Sequence, residues 1–162
     1  MKMIEECWLQ EDMPMSMKTA IISLIHKANE RDLLTNYMPI SLMNSDYKIL
    51  AFVFANRMQE IMRHIINTDQ SAYVKGRYIG CSIRNLIDIF DYCEENGIEG
   101  AILCTDYAKA FDSLEHNFIL SVLNKYNFGP SFIKWIRIFY NRPVFRVKNN
   151  GWISQPYVMG RG

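Results

Sequence analysis

The stretch Ala101 to Asp106 reads AILCTD: four apolar residues run to a carboxylate, and YAKAFD follows at once. An unbroken apolar run of this kind suits a strand covered on both faces, as in the middle of a sheet. Such a strand requires other strands beside it and helices over it, which points to a layered α/β architecture. With a period of two, Ile102, Cys104 and Asp106 point one way, and Ala101, Leu103 and Thr105 the other. Asp106 then falls at the carboxyl end of the strand, where open α/β sheets place their chemistry. The residues alone leave two readings of it open, a ligand to a divalent cation completed by oxygens from elsewhere, or a solvated strand end. Asp112 has a simpler reading. With Glu115 three positions on it makes a D-x-x-E capping box, so Asp112 is expected as the structural cap of a helix that buries Phe118, Ile119, Val122, Leu123 and Tyr126.

The rest of the chain alternates in the same way. A short helix is expected around Met3 to Gln10, ended before Pro14, and KTAIISLIHK (Lys18 to Lys27) is apolar and β-branched like a strand. NERD supplies a turn, and NYMPISLM resumes an extended segment because the residue before Pro39 is pushed out of the helical region. From Asp46, the positions Tyr47, Leu50, Phe54, Met58, Ile61 and Ile65 recur at spacings of three and four, giving one long helix with a core-facing stripe. DQSAYVKGRYIGCS reads as a loop, and Ile83, Leu86, Ile87, Phe90 and Cys93 mark an amphipathic helix that Gly97 stops. Gly129 ends the helix after Asp112; a further helix, Ser131 to Asn141, leads to a hairpin signalled by Asn150-Gly151.

Composition sets the outer limits. The 162 residues are 49% hydrophobic, enough for one packed domain or part of a larger one. Cys7, Cys81, Cys93 and Cys104 fall at no metal-like spacing and read as reduced thiols of an intracellular protein. His26, His64 and His116 are scattered, structural or solvent-facing rather than ligands. No apolar run reaches the roughly 20 residues of a membrane span, and the start carries no signal peptide. Net charge is +1, yet from Gly129 onward there are six basic residues and no acid. That imbalance is compatible with phosphate contacts, and equally with a solvated charged face.

At TDYAKAFDSLEHNF the sequence resembles the first catalytic block, D-x-x-K-A-F-D, of the reverse transcriptases of LINE-type, non-LTR retrotransposons. NYMPISLMNSDYKILAFVFANRM resembles that family's N-Y-R-P-I-S-L segment and the helix after it, and DQSAYVKGRYIGCSIRNL its D-Q-x-x-F-x-x-G-R loop. GPSFIKWIRIFYN and the ending YVMGRG also fit, so ordered blocks cover essentially the whole chain. The resemblance implies a partial right-hand polymerase fold, fingers over about residues 1–98 and an incomplete palm sheet with packed helices over about 99–162. Its partners would be an RNA template, a DNA primer and a deoxynucleoside triphosphate, with no membrane, in the nucleus or cytoplasm. Asp106 matches the aspartate that bridges two Mg2+ ions, with the backbone carbonyl of Tyr107 as a further ligand and two-metal nucleotidyl transfer as the chemistry. Phe111 matches the bulky residue beneath the incoming sugar. Lys27 would contact the nucleotide's phosphates, and Arg77, Lys75, Arg146 and Lys148 the nucleic acid.

Two departures shape the expected activity. Met38 stands where the family's motif has arginine, and a thioether has neither its charge nor its donors. The sequence reaches Gly162 before any Y/F-x-D-D block, and no Asp-Asp pair occurs in it, so the metal site is half present and the chain alone is expected to be inactive. The palm strand's family partners would follow Gly162, so self-association through an uncovered edge is expected. Two other readings compete: a nucleic-acid-binding module without chemistry, and an unrelated α/β domain with a single Mg2+-binding aspartate.

Overall fold

The structure, a computed structural model, describes residues 2–162. Among the described residues, six helices and a five-stranded mixed sheet make it α/β. The chain separates into two compact units, one built from residues up to Ala51 together with Ala108–Gly162, the other from Phe52–Tyr107.

The first unit holds the sheet. It begins with α1 (Lys2–Gln10) and a single turn, α2 (Met15–Lys18), which Pro14 opens and which runs directly into β1 (Thr19–His26). After one 3-10 turn, β2 (Tyr37–Met43) returns antiparallel to β1, pairing Ala20 with Met43 and His26 with Tyr37. A third strand, from much later in the sequence, runs parallel to β1 on its other side, so β1 lies between two partners. That arrangement fits its β-branched, apolar sequence. Ala20 and Ile22 form the buried centre with Phe145, and Leu24, Met43, Val147 and Met159 pack around them.

Where α2 meets β1, Lys18 is nearly buried, and its ammonium donates to both carboxylate oxygens of Asp12, at 2.7 and 2.8 Å. Asn141 donates to the same carboxylate at 3.0 Å, so the charge that burial would penalise is shared among three side chains.

The second unit takes up most of α3 (Ser45–Ile65) and α4 (Ile79–Glu95). α4 stops as its sequence predicts: Gly97 takes a φ of 63°, and the amide of Ile98 donates back to the carbonyl of Cys93. Only Phe54 and Val74 are buried hydrophobics among the described residues of this unit. Ile83, Leu86, Ile87 and Phe90, expected to face a core, are exposed.

The first unit resumes with α5 (His116–Lys125) and α6 (Pro130–Phe139). Pro130 opens α6 in the first-turn position, where its missing N–H costs nothing. β3 (Val144–Asn149) follows, then β4 (Trp152–Ile153) and β5 (Tyr157–Val158), both pairing with β3. Asn150 and Gly151, at φ 46° and 85°, make the predicted tight turn.

Two expectations are corrected. Gly100–Asp106 is not a strand: it pairs with nothing, and Leu103 is 87% exposed. All five strands of the sheet lie in the first unit, and an extended segment without a neighbour has no ladder to hold it. Asp112 is not the helix cap. Glu115 occupies that position, held extended (φ −75°, ψ 136°) by a bridge to Arg161, and α5 cannot begin before residue 116. Phe118 and Tyr126, expected on its buried side, are exposed, whereas Leu123 is buried.

Candidate nucleic-acid and nucleotide site

The register of the sheet sorts the basic residues. Arg146 lies beside Ile21 and Lys148 beside Ser23 across the parallel β1–β3 pair, while Phe145 and Val147 lie beside Ala20 and Ile22. Side chains alternate, so Arg146 and Lys148 occupy the face opposite the core. In the antiparallel β1–β2 pair, Leu42, Ile40 and Met38 stand across from Ile21, Ser23 and Ile25. That outer face therefore carries an apolar floor, of which Ile25, Met38 and Leu42 are exposed, with two cations along β3. Lys27 is exposed at the end of β1, where its amide donates to the carbonyl of Asn36 at 2.8 Å.

Phe111 and Asp112 belong to the first unit, in a run of turns from Ala108 to Ser113. Lys109 adopts a left-handed φ of 52°, and its carbonyl accepts from the amide of Ser113 at 3.0 Å. A hollow of about 440 Å³ is lined by Lys109, Asp112 and Ser113 from this turn and by Met159, Gly160 and Arg161 from the end of the sequence. The sequence had given Lys109 no role, and had counted Arg161 only as part of a basic tail. A larger hollow of about 600 Å³, lined by Ile4, Glu5, Trp8, Leu9, Ser131 and Trp135, contains none of the candidate site residues.

Asp106 and Tyr107 belong to the second unit, in the exposed unpaired segment. Among the described residues no three His, Cys, Asp or Glu side chains gather in a way that could hold a metal. One carboxylate is too little for a two-metal centre, so the residues of this sequence do not by themselves fit that group.

Lys75 and Arg77 sit in the loop after α3. Lys75 pairs with Glu60 at 3.2 Å on the surface, and its amide donates to the side chain of Gln59 at 3.0 Å. Arg77 is turned inward. One terminal nitrogen donates to the carbonyls of Asn67 and Gln70, the other to those of Arg63 and Ile66. Its planar fork thus takes up carbonyls that the end of α3 leaves open, where a cation also complements the helix dipole. This commits the expected phosphate ligand to holding its own loop. Gln59, which donates to the carbonyl of Tyr73 at 2.9 Å, fastens the same loop and carried no signal in the sequence.

Burial acts on two phenols, Tyr47 on α3 and Tyr140 at the C-terminal end of α6. The hydroxyl of Tyr47, whose ring meets Phe139 edge-on, is pushed up to about 12 by desolvation and by Tyr140, and burial raises Tyr140 as well.

Comparison with known proteins decides the family. Residues 25–161 match the family described as Reverse transcriptase (RNA-dependent DNA polymerase). The chain belongs to the reverse transcriptase family. It is also 31% identical over 161 residues to the Transposon TX1 uncharacterized 149 kDa protein of Xenopus laevis, covering 99% of this chain and 12% of that relative. Together these bear out the resemblance to reverse transcriptases of non-LTR retrotransposons and set aside an unrelated α/β domain. The family's reaction involves a nucleic-acid template and primer and a divalent metal. No helix among the described residues is long and apolar enough to cross a membrane.

Proposed function

We propose that this reverse transcriptase chain supplies the fingers and the opening part of the palm of an RNA-directed DNA polymerase of an intracellular retroelement. It binds template and primer and contributes one carboxylate, Asp106, to a Mg2+-dependent nucleotidyl-transfer centre. The observation that carries the reading is the register that puts Arg146 and Lys148 together on the outer sheet face, above an apolar floor rather than among acids. Cations in that setting attract a phosphate backbone, and exposed apolar side chains beside them suit bases and sugars.

Within this reading Lys27 serves the triphosphate, Phe111 the sugar, the carbonyl of Tyr107 the metal, and Lys75 the nucleic acid. Arg77 contributes by fixing the loop that carries Lys75. Asp106 and the carbonyl of Tyr107 would supply part of the ligand set of a divalent metal, whose chemistry would be activation of the primer hydroxyl and stabilisation of the leaving pyrophosphate. The sequence has no Asp-Asp pair, and no acidic cluster gathers at Asp106 among the described residues, so binding without chemistry is the expected behaviour of this chain alone.

Primer extension on an RNA template, with Mg2+ or Mn2+, tests this. Neither the chain nor Asp106→Ala should extend the primer. Extension by the first that vanishes in the second would mean that another acid of this sequence completes the centre.

A further inference from the structure

Two antiparallel hydrogen bonds join the start of α5 to the segment Gly160–Gly162 and define one isolated bridge between them. The amide of His116 donates to the carbonyl of Gly160 at 3.1 Å, the amide of Gly162 donates to that of Leu114 at 3.0 Å, and Glu115 and Arg161 face each other as an isolated bridge. So short a ladder is weak alone, because each exposed backbone bond adds little over its exchange with water. A side chain completes it. The imidazole of His116, 7% exposed, has Nε2 3.0 Å from the carbonyl of Gly162. A carbonyl only accepts, so Nε2 carries the proton and donates. The ring stacks on Tyr140 at 4.4 Å between centroids, 32° from parallel, which fixes its direction from α6's end of the unit.

Gly162 suits the approach. It has a φ of +94°, and a side chain there would lie 3.4 Å from Met159 and 3.5 Å from the backbone of Asp112. Arg161 sits between the two fastened glycines, and with Lys109 and Asp112 it lines the hollow of about 440 Å³.

We propose that His116 is a positioning residue: its Nε2–H bond to Gly162 holds the Gly160–Gly162 segment against the Lys109–Glu115 turn and so sets Arg161 beside Lys109 and Asp112. Its bearing on catalysis rests on the polymerase reading, in which that turn is the catalytic block. The clasp itself needs no substrate.

Amide exchange followed by NMR on the whole chain provides the test, with His116→Phe, which keeps a ring against Tyr140 but has no donor, and His116→Gln, whose side-chain amide restores one. The amides of residues 116 and 162 should be protected in the parent chain and in His116→Gln, and should exchange on the order of tenfold faster in His116→Phe. Protection at Leu123 and Ile138 reports that the unit remains folded. Equal protection in His116→Phe and the parent overturns the proposal. If the phenylalanine variant unfolds, the parent decides: a slowly exchanging imidazole Nε2 proton close to the Gly162 α-protons supports the clasp, and its absence overturns it. Primer extension reads the polymerase assignment separately, so failure of one leaves the other standing.

Discussion

The guanidinium of Arg77 and the carbonyl of Ile66 are joined by an N–H···O bond of 2.7 Å just past the end of α3, across eleven residues of sequence. Bonds to Arg63, Asn67 and Gln70 complete the set, so one side chain closes a helix and shapes the loop after it.

Arg77→Lys should therefore destabilise the second unit although it keeps the charge. An ammonium cannot reach four carbonyls in a fork, and lost charge-assisted bonds cost about 1.5 to 3 kcal/mol in total where solvent replaces part of them. Urea unfolding should show a lower midpoint with an unchanged slope; no change in midpoint contradicts the role.

Alkaline stability should depend on Tyr47. Its folded-state pKa, about 12, lies above the unfolded value of 10.0, so the phenol's contribution is fully present below pH 10 and is lost as pH rises from 10 to 12. The loss should amount to about 3 kcal/mol, two pKa units at about 1.4 kcal/mol each. Tyr47→Phe should flatten the stability profile over that window, leaving the smaller fall due to Tyr140. A variant that falls as steeply as the parent contradicts this.

Much of the fold was legible because its signals are local. β1 and β2 followed from a β-branched apolar run and from Pro39, α6 from the segment expected over Ser131 to Asn141, and the hairpin from Asn150-Gly151. What failed depended on partners distant in sequence. AILCTD has a strand's composition but no neighbour to pair with, and the box at Asp112 was overridden by a bridge from Glu115 to Arg161. The motifs singled out Asp106, Phe111 and the basic residues as candidates. They gave no hint that Arg77 faces inward or that the imidazole of His116 reaches Gly162, because those bonds depend on how the chain folds back.

Met38→Arg should be nearly neutral for folding, since Met38 is 40% exposed on the outer sheet face and surface substitutions usually stay within ~0.5 kcal/mol. It adds a cation to the face of Arg146 and Lys148. Binding of single-stranded RNA should tighten, and its log–log salt slope should steepen by about 0.7. An unchanged slope places this position away from the phosphates.

The apolar side chains left exposed on α4 and in the Gly100–Tyr107 segment should make the chain associate with itself at high concentration. Sedimentation velocity should show mass increasing with concentration, and Phe90→Glu should reduce it. A monodisperse monomer throughout contradicts the prediction.

Binding to a DNA primer annealed to an RNA template, followed by fluorescence anisotropy across a salt series, reads the role of the outer sheet face. Measurable affinity that weakens with salt is expected, with a log–log slope reduced by about 1.5 when Arg146 and Lys148 are both changed to alanine. No binding at low salt, or a slope that the double variant leaves unchanged, would contradict the assignment of the outer sheet face to nucleic acid.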